Sequence, residues 1–140
     1  MVSNKTKIDK VIILAGGRGT RISEYSKTIP KPMIEVGGIP IIVHIIKLYM
    51  KYGLKTFYIA LGYKGKYIEK YFSKKRIKKL SLENIQLKFI NTGLNTMTGG
   101  RLKKLSKYIA DNENFLFTYG DGVSNINIKK LINFHILNNK

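Results

Sequence analysis

The sequence contains no cysteine and only two histidines. Without cysteine the chain has neither disulfide bonds nor thiolate metal sites, and two histidines are too few for a histidine-rich metal cluster. A metal ion bound to this chain therefore needs oxygen ligands, which are the ligands that Mg²⁺ prefers.

Long apolar segments are missing as well. No stretch approaches the roughly 18 apolar residues of a membrane span, and the N-terminus Met-Val-Ser-Asn-Lys-Thr-Lys does not resemble a signal peptide. We therefore expect a soluble cytoplasmic protein with no membrane partner. The length of 140 residues and the apolar fraction of 44% fit one domain with a single core.

Acidic residues are scarce, since 8 of them stand against 26 lysines and arginines, and the formal net charge is +18. A concentrated basic face would favour nucleic acid. Only four basic residues are arginines, however, and the abundant lysine, isoleucine and asparagine are typical of an A+T-rich coding sequence. We therefore expect no nucleic-acid partner. The densest basic cluster, residues 64–79, is interpreted as a solvated helical face, with a polyanion-binding patch as the alternative.

Short apolar runs predict four strands, at Val11–Leu14, Phe57–Leu61, Ile85–Ile90 and Phe115–Thr118. Three of these runs are almost wholly apolar, which is typical of a parallel sheet covered on both faces. Helical spacing predicts four helices, which run from Pro40 to Gly53, Lys66 to about Lys79, Gly100 to Ile109, and Ile128 to about Leu137. The alternation predicts a Rossmann-like α/β fold, a doubly wound and mostly parallel sheet with helices on both faces.

Ligands of such sheets bind beyond the carboxyl ends of the strands. Three predicted loops leave the sheet there, namely a glycine-rich loop after the first strand, Gly62-Tyr63-Lys64, and Tyr119-Gly120-Asp121-Gly122. We expect these loops to converge on one crevice.

The glycine-rich loop has the sequence Leu14-Ala15-Gly16-Gly17-Arg18-Gly19-Thr20-Arg21. Its glycines expose backbone N–H groups to a polyphosphate, Thr20 adds a hydroxyl donor, and Arg21 offers a planar fork for phosphate oxygens. The dinucleotide and Walker motifs are both excluded, because Ile22 stands in place of the third glycine and no Gly-Lys-Ser/Thr ending follows. The alternative interpretation is a tight strand-to-helix turn.

Three further features favour phosphate chemistry. Lys31 lies between two prolines that fix the backbone and so direct its side chain. Asp121 follows the last strand between glycines, which suits a magnesium ligand, although Asp-Gly is also a common turn. The segment Thr98-Gly99-Gly100-Arg101 opens the third predicted helix, whose N-terminus either contacts a phosphate or a base edge, or only starts the helix.

The glycine-rich loop and the segment Pro30–Met33 together resemble the signature of the sugar-1-phosphate nucleotidyltransferases. Three further segments are similar to the branch of glucose-1-phosphate cytidylyltransferases, namely Gly62–Gly65, Met97–Leu102 and Phe117–Val123. The resemblance implies that CTP and α-D-glucose 1-phosphate give CDP-glucose and pyrophosphate, for deoxysugar synthesis in surface polysaccharide such as O-antigen. It further implies direct attack of a sugar-phosphate oxygen on the α-phosphorus, without a covalent enzyme intermediate.

The resemblance also implies roles for individual residues. Arg21 and Lys31 are expected to act in catalysis by contacting phosphates, and Asp121 is expected to bind Mg²⁺. The expected nucleotide-binding residues are Leu14, Ala15, Gly16, Gly17, Gly19, Thr20, Arg21, Lys31, Thr98, Gly99, Arg101 and Asp121.

Enzymes of this family continue well beyond the segment that the chain resembles. We therefore expect residues 1–140 to be the N-terminal, nucleotide-binding portion of a nucleotidyltransferase domain, without the C-terminal sugar-binding portion. A nucleotidyltransferase that uses UTP, dTTP or GTP and a nucleotide-binding module without turnover are the alternatives. The resemblance is also compatible with a homo-oligomer.

Overall fold

The computed structural model describes residues 7–18 and 28–138. Its main sheet has four strands in the order β5-β4-β1-β6, with bounds β1 Lys10–Ala15, β4 Thr56–Leu61, β5 Gln86–Asn91 and β6 Leu116–Tyr119. All three neighbouring pairs are parallel, which confirms the predicted sheet. The chain runs outward from β1 through β4 to β5 and then returns to the other side of β1 as β6. The order of the strands therefore reverses between β1 and β6, where open α/β sheets bind ligands.

A small antiparallel hairpin precedes the first helix and was not predicted. It pairs β2 (Glu35–Val36) with β3 (Ile39–Pro40). Its turn residues Gly37 and Gly38 have φ angles of +60° and +79°, which a two-residue hairpin turn with positive φ at both positions requires.

In the described residues, five α-helices connect or follow the strands, with bounds α1 Ile41–Lys51, α2 Gly65–Tyr71, α3 Lys74–Lys79, α4 Thr98–Leu105 and α5 Ile128–Asn138. The prediction of one helix from Lys66 to Lys79 is wrong. The backbone leaves helical geometry at Phe72, and Ser73 then caps α3 by accepting a hydrogen bond from the Arg76 N–H. The helix predicted from Gly100 to Ile109 corresponds to α4. It begins earlier than predicted, at Thr98, and continues after Leu105 as a 3₁₀ turn, Ser106–Tyr108.

The strands of the sheet bury side chains on both faces. Val11, Ile13 and Phe57 pack on one face in a cluster that includes residues of α1, α2 and α5. On the other face, Ile12 and Leu14 pack in a smaller cluster with residues of α4. Helices therefore cover both faces, as predicted, and the burial on both sides explains why β1 is apolar throughout.

The segment from Phe115 to Leu137, which contains β6 and most of α5, exposes many apolar side chains. In the described parts of the chain, eight of the twelve exposed large apolar residues lie between Phe115 and Leu137. Phe117 and Tyr119 of β6 are 37% and 53% exposed on the sheet face that α4 covers elsewhere. No helix within residues 7–18 and 28–138 is long and apolar enough to cross a membrane.

Candidate functional site

A cavity of about 300 Å³ lies beyond the carboxyl ends of β1 and β6, where the strand order reverses. Eight of its lining residues are among those expected from the sequence, namely Leu14, Ala15, Gly16, Gly17, Lys31, Thr98, Arg101 and Asp121. Four others were not expected as binding residues, namely Pro32, Thr96, Met97 and Tyr119. Apolar walls with a few convergent polar groups are typical of a ligand site.

The glycine-rich loop begins where β1 ends. Gly16 is buried and Gly17 is exposed. A Cβ atom added to Gly17 would meet nothing within 4 Å, so its backbone is open to a ligand. Gly19, Thr20 and Arg21 lie outside the described residues, so the roles expected of them stay predictions.

Lys31 and Asp121 both line the cavity and form an ion pair there. Lys31 Nζ lies 2.6 Å from Asp121 Oδ2, and each side chain is about one third exposed, at 31% and 33%. Lys31 begins a 3₁₀ turn, Lys31–Met33, which was not predicted. Each residue was expected to contact a ligand, but the sequence did not predict that they pair with one another.

The backbone after β6 is fixed to β1 by Gly120. Its N–H donates to the Leu14 carbonyl oxygen at 2.8 Å. A Cβ atom at this position would lie 2.9 Å from that same oxygen, so the close approach requires glycine. This contact places Asp121 one residue later, beside the glycine-rich loop.

Arg101 lies at the wall of the cavity and is 5% exposed. Its Nη1 donates to the Leu61 carbonyl, Thr92 Oγ1 and the Gly93 carbonyl at 3.2, 2.6 and 2.8 Å. Its Nη2 donates to the Gly16 carbonyl at 3.0 Å. No carboxylate in the described part of the chain forms an ion pair with this guanidinium, and burial lowers the pKa of Arg101.

The loop between β5 and α4 also contributes to the wall of the cavity. Thr96 and Met97 line the cavity, and Met97 is 81% exposed. Arg18 Nη2 donates to Asn95 Oδ1 at 2.8 Å and so joins this loop to the glycine-rich loop. Thr98 begins α4 at the cavity, whereas Gly99 is exposed and is not among the lining residues.

The segment Gly62-Tyr63-Lys64 converges on the site only indirectly. None of its residues lines the cavity, but the Tyr63 N–H donates to the Gly16 carbonyl at 3.1 Å. The segment therefore supports the glycine-rich loop from behind. Tyr119, by contrast, lines the cavity.

The site fits a magnesium ion only together with a polyphosphate. Among the residues that the structure describes, Asp121 is the one carboxylate that lines the cavity. No cluster of three or more histidine, aspartate or glutamate side chains that could hold a metal occurs in residues 7–18 and 28–138. Mg²⁺ usually takes one or two protein carboxylates and completes its shell with phosphate oxygens and water, so Asp121 suits one such position.

Known proteins resemble most of this chain. Glucose-1-phosphate cytidylyltransferase of Salmonella typhimurium is 44% identical over 90% of this chain and 55% of its own length. The protein of Bacillus subtilis named as a probable glucose-1-phosphate cytidylyltransferase is 43% identical over the same shares. The chain thus spans about half the length of these relatives and matches their N-terminal half.

The fold also has relatives among solved structures. A UDP-glucose pyrophosphorylase in complex with UDP-glucose superposes with a TM-score of 0.79 over 95% of this chain and 55% of that one, at 23% identity. This likeness confirms the fold. The family model described as nucleotidyl transferase matches residues 10–140. With that match over nearly the whole sequence, the chain belongs to the nucleotidyl transferase family.

Proposed function

We propose that this chain is the nucleotide-binding portion, residues 1–140, of an enzyme that transfers a cytidylyl group from CTP to α-D-glucose 1-phosphate. The products are CDP-glucose and pyrophosphate. The observation that carries the proposal is the cavity at the switch point, which combines an open glycine backbone with the side chains of Lys31 and Asp121. The names of the relatives from Salmonella typhimurium and Bacillus subtilis support cytidine as the base.

The polar groups of the cavity match the demands of phosphoryl chemistry. A sugar-phosphate oxygen attacks the α-phosphorus of CTP, and the bond from that phosphorus to the pyrophosphate oxygen breaks. This reaction needs alignment and charge stabilisation rather than a protein nucleophile. Lys31 supplies positive charge to the phosphates, and the exposed Gly17 backbone allows their close approach. Arg21 is proposed as a second cation on the same phosphates.

Magnesium completes this arrangement. A bound Mg²⁺ neutralises charge on the phosphate oxygens, and Asp121 is proposed as its protein ligand. Asp121 and Lys31 neutralise one another before the nucleotide enters. We propose that nucleotide binding exchanges this ion pair for two new contacts, Lys31 with phosphate and Asp121 with the metal.

The relatives extend beyond the segment that this chain matches. We propose that the sugar phosphate binds mainly to the equivalent of that additional part. Turnover is accordingly proposed for a protein that contains such a part, and nucleotide binding is proposed for residues 1–140. We assign the reaction to the cytoplasm, where CTP is available, and its product to the synthesis of deoxysugars for surface polysaccharide such as O-antigen. A homo-oligomer stays a prediction.

A thermal melt with Mg²⁺ and each of CTP, UTP, dTTP and GTP tests the proposal, because a ligand that binds only the native state raises its stability. At about 100 times the dissociation constant, CTP should add about 2.7 kcal/mol to the free energy of unfolding. For a chain of this size, that corresponds to a rise in Tm on the order of 8 °C.

Two variants show whether the cavity is responsible. Lys31→Met should lose most of the CTP-dependent rise in Tm, whereas Lys47→Met, which removes an exposed lysine from α1, should keep it. A larger rise with UTP, dTTP or GTP would assign the site to another nucleotide. No rise with any of the four would contradict nucleotide binding by this chain.

A further inference from the structure

The guanidinium of Arg101 joins the ends of three strands, in addition to the backbone bonds from the Tyr63 N–H to the Gly16 carbonyl and from the Thr92 N–H to the Leu61 carbonyl. Its acceptors are the carbonyl of Gly16 after β1, the carbonyl of Leu61 at the end of β4, and Thr92 and Gly93 after β5. Thr92 is completely buried. The side chain thus extends from α4 along the wall of the cavity and links the loops that leave β1, β4 and β5.

Two glycines provide the space that this guanidinium occupies. A Cβ atom on Gly16 would overlap Arg101 Nη1 and lie 2.6 Å from Cζ and 2.9 Å from the Gly62 backbone nitrogen. A Cβ atom on Gly62 would lie 2.5 Å from Nη1, 2.6 Å from the Gly16 carbonyl oxygen and 2.9 Å from Nη2. Neither glycine has a positive φ angle, so the backbone conformation alone does not demand glycine at either position. The need for space does.

The neighbouring Gly17 behaves differently. A Cβ atom there would meet nothing within 4 Å, although Gly16 and Gly17 are adjacent in the same loop. Gly17 is therefore open to a ligand, whereas the guanidinium of Arg101 occupies the space next to Gly16. The co-occurrence of Gly16, Gly62 and Arg101 in one chain has a physical reason, because each depends on the space or the contacts of the others.

A lysine at position 101 could not make the same set of hydrogen bonds. Its ammonium group is a single point with three donors, whereas Arg101 addresses the Gly16 carbonyl through Nη2 and the other acceptors through Nη1. A planar group with two separate nitrogen atoms is needed to join the β1 loop to the β5 loop at these distances.

We infer that Arg101 is a positioning residue, which holds the glycine-rich loop in its nucleotide-binding shape by bonding the Gly16 carbonyl, and that Gly16 and Gly62 form its seat. The inference rests on the proposed function only for the statement that the loop binds a nucleotide. Arg101 thereby acts on the nucleotide through the backbone of Gly16 and Gly17.

A double-mutant cycle on the chain tests the seat without any nucleotide. Gly16→Ala should lower Tm, because its methyl group must displace the guanidinium. In the Arg101→Ala background the same change should cost less, since the overlap with the guanidinium is gone and only the 2.9 Å contact with the Gly62 backbone nitrogen remains. Gly17→Ala is the stability control and should have the same effect in both backgrounds. Equal costs of Gly16→Ala in the two backgrounds would overturn the inference.

Hydrogen exchange provides a local readout of the positioning. The Tyr63 N–H is bonded to the Gly16 carbonyl, and the Gly120 N–H to the Leu14 carbonyl. Arg101→Ala should accelerate exchange at Tyr63 and leave Gly120 protected, whereas a general loss of stability would accelerate both. If Arg101→Ala does not fold, Thr92→Val keeps the guanidinium, removes one acceptor, and should accelerate exchange at Tyr63 in the same way.

The effect on the nucleotide is measured by calorimetry with CTP and Mg²⁺. Arg101→Ala and Arg101→Lys should both weaken binding about tenfold, a loss of ~1.4 kcal/mol. Lys103→Ala, on an exposed position of α4, should leave it unchanged. Full affinity in Arg101→Lys would refute the need for a planar group. If the wild-type chain binds no CTP while the cycle is non-additive, the proposed function fails and the seat of Arg101 stands.

Discussion

Replacing Asp121 by asparagine removes one negative charge from the cavity and keeps the size and shape of the side chain. In the wild type this carboxylate lies 2.6 Å from Lys31 Nζ, and both side chains are about one third exposed. Ion pairs with that exposure contribute at most about 1 kcal/mol to the free energy of unfolding, because solvent screens them. Asp121→Asn should therefore melt within a few degrees of the wild type.

Nucleotide binding should respond more strongly, and with opposite signs in the absence and presence of Mg²⁺. Two unit charges 4 Å apart interact by about 1 kcal/mol in water and about 4 kcal/mol near a protein surface. Without Mg²⁺, Asp121→Asn should bind CTP at least about fivefold more tightly, since the repelling carboxylate is gone and Lys31 is released. With Mg²⁺ the wild type should regain the advantage, because only its carboxylate can hold the ion.

Calorimetric titration with CTP, in excess EDTA and in excess Mg²⁺, measures both effects. The account predicts that Mg²⁺ tightens binding to the wild type at least about tenfold more than binding to Asp121→Asn. An identical Mg²⁺ dependence in the two proteins would refute the assignment of Asp121 as a metal ligand. A fall in stability of several kcal/mol would instead show that the ion pair serves the fold.

Two further predictions concern stability. The pKa of Glu113 is lowered, first by its hydrogen bond with Lys10 and then by the hydrogen bond from the Ala110 N–H. The stabilising contribution of this carboxylate is therefore present at neutral pH and is lost as the pH falls below about 4.5. Glu113→Gln should flatten the decline of Tm in that acidic range, and an unchanged pH profile would contradict this. Gly120→Ala should cost about 1 to 3 kcal/mol by chemical denaturation, because its methyl group would press on a backbone carbonyl. Gly122→Ala, whose methyl group would meet nothing within 4 Å, is the matched control and should stay within about 0.5 kcal/mol.

The sheet was predictable because its signal is local. Val11–Leu14 and Phe57–Leu61 are short apolar runs, and the observed strands differ from them by one residue at an end. Burial on both faces of a parallel sheet leaves few polar positions in such runs. The position of the glycine-rich loop at the carboxyl edge followed from that assignment.

The contacts within the site were not predictable because their partners are distant in sequence. Arg101 bonds to Gly16 across 85 positions, and no local pattern indicates that its guanidinium ends among carbonyl groups. The sequence placed Lys31 and Asp121 correctly at the cavity but not against one another. The break between α2 and α3 did have a local signal in the capping residue Ser73, which the many lysines of residues 64–79 obscured.

The position of the nucleotide on the chain tests the central claim most directly. A titration of the ¹⁵N-labelled chain with CTP and Mg²⁺, followed by amide chemical shifts, compares the cavity with the lysine-rich surface of α3. The account predicts shifts at Gly16, Gly17, Thr98 and Asp121 and none along Lys74–Lys79. Shifts confined to Lys74–Lys79 would show that the chain binds polyanions through a basic surface and would contradict a nucleotide site between β1 and β6.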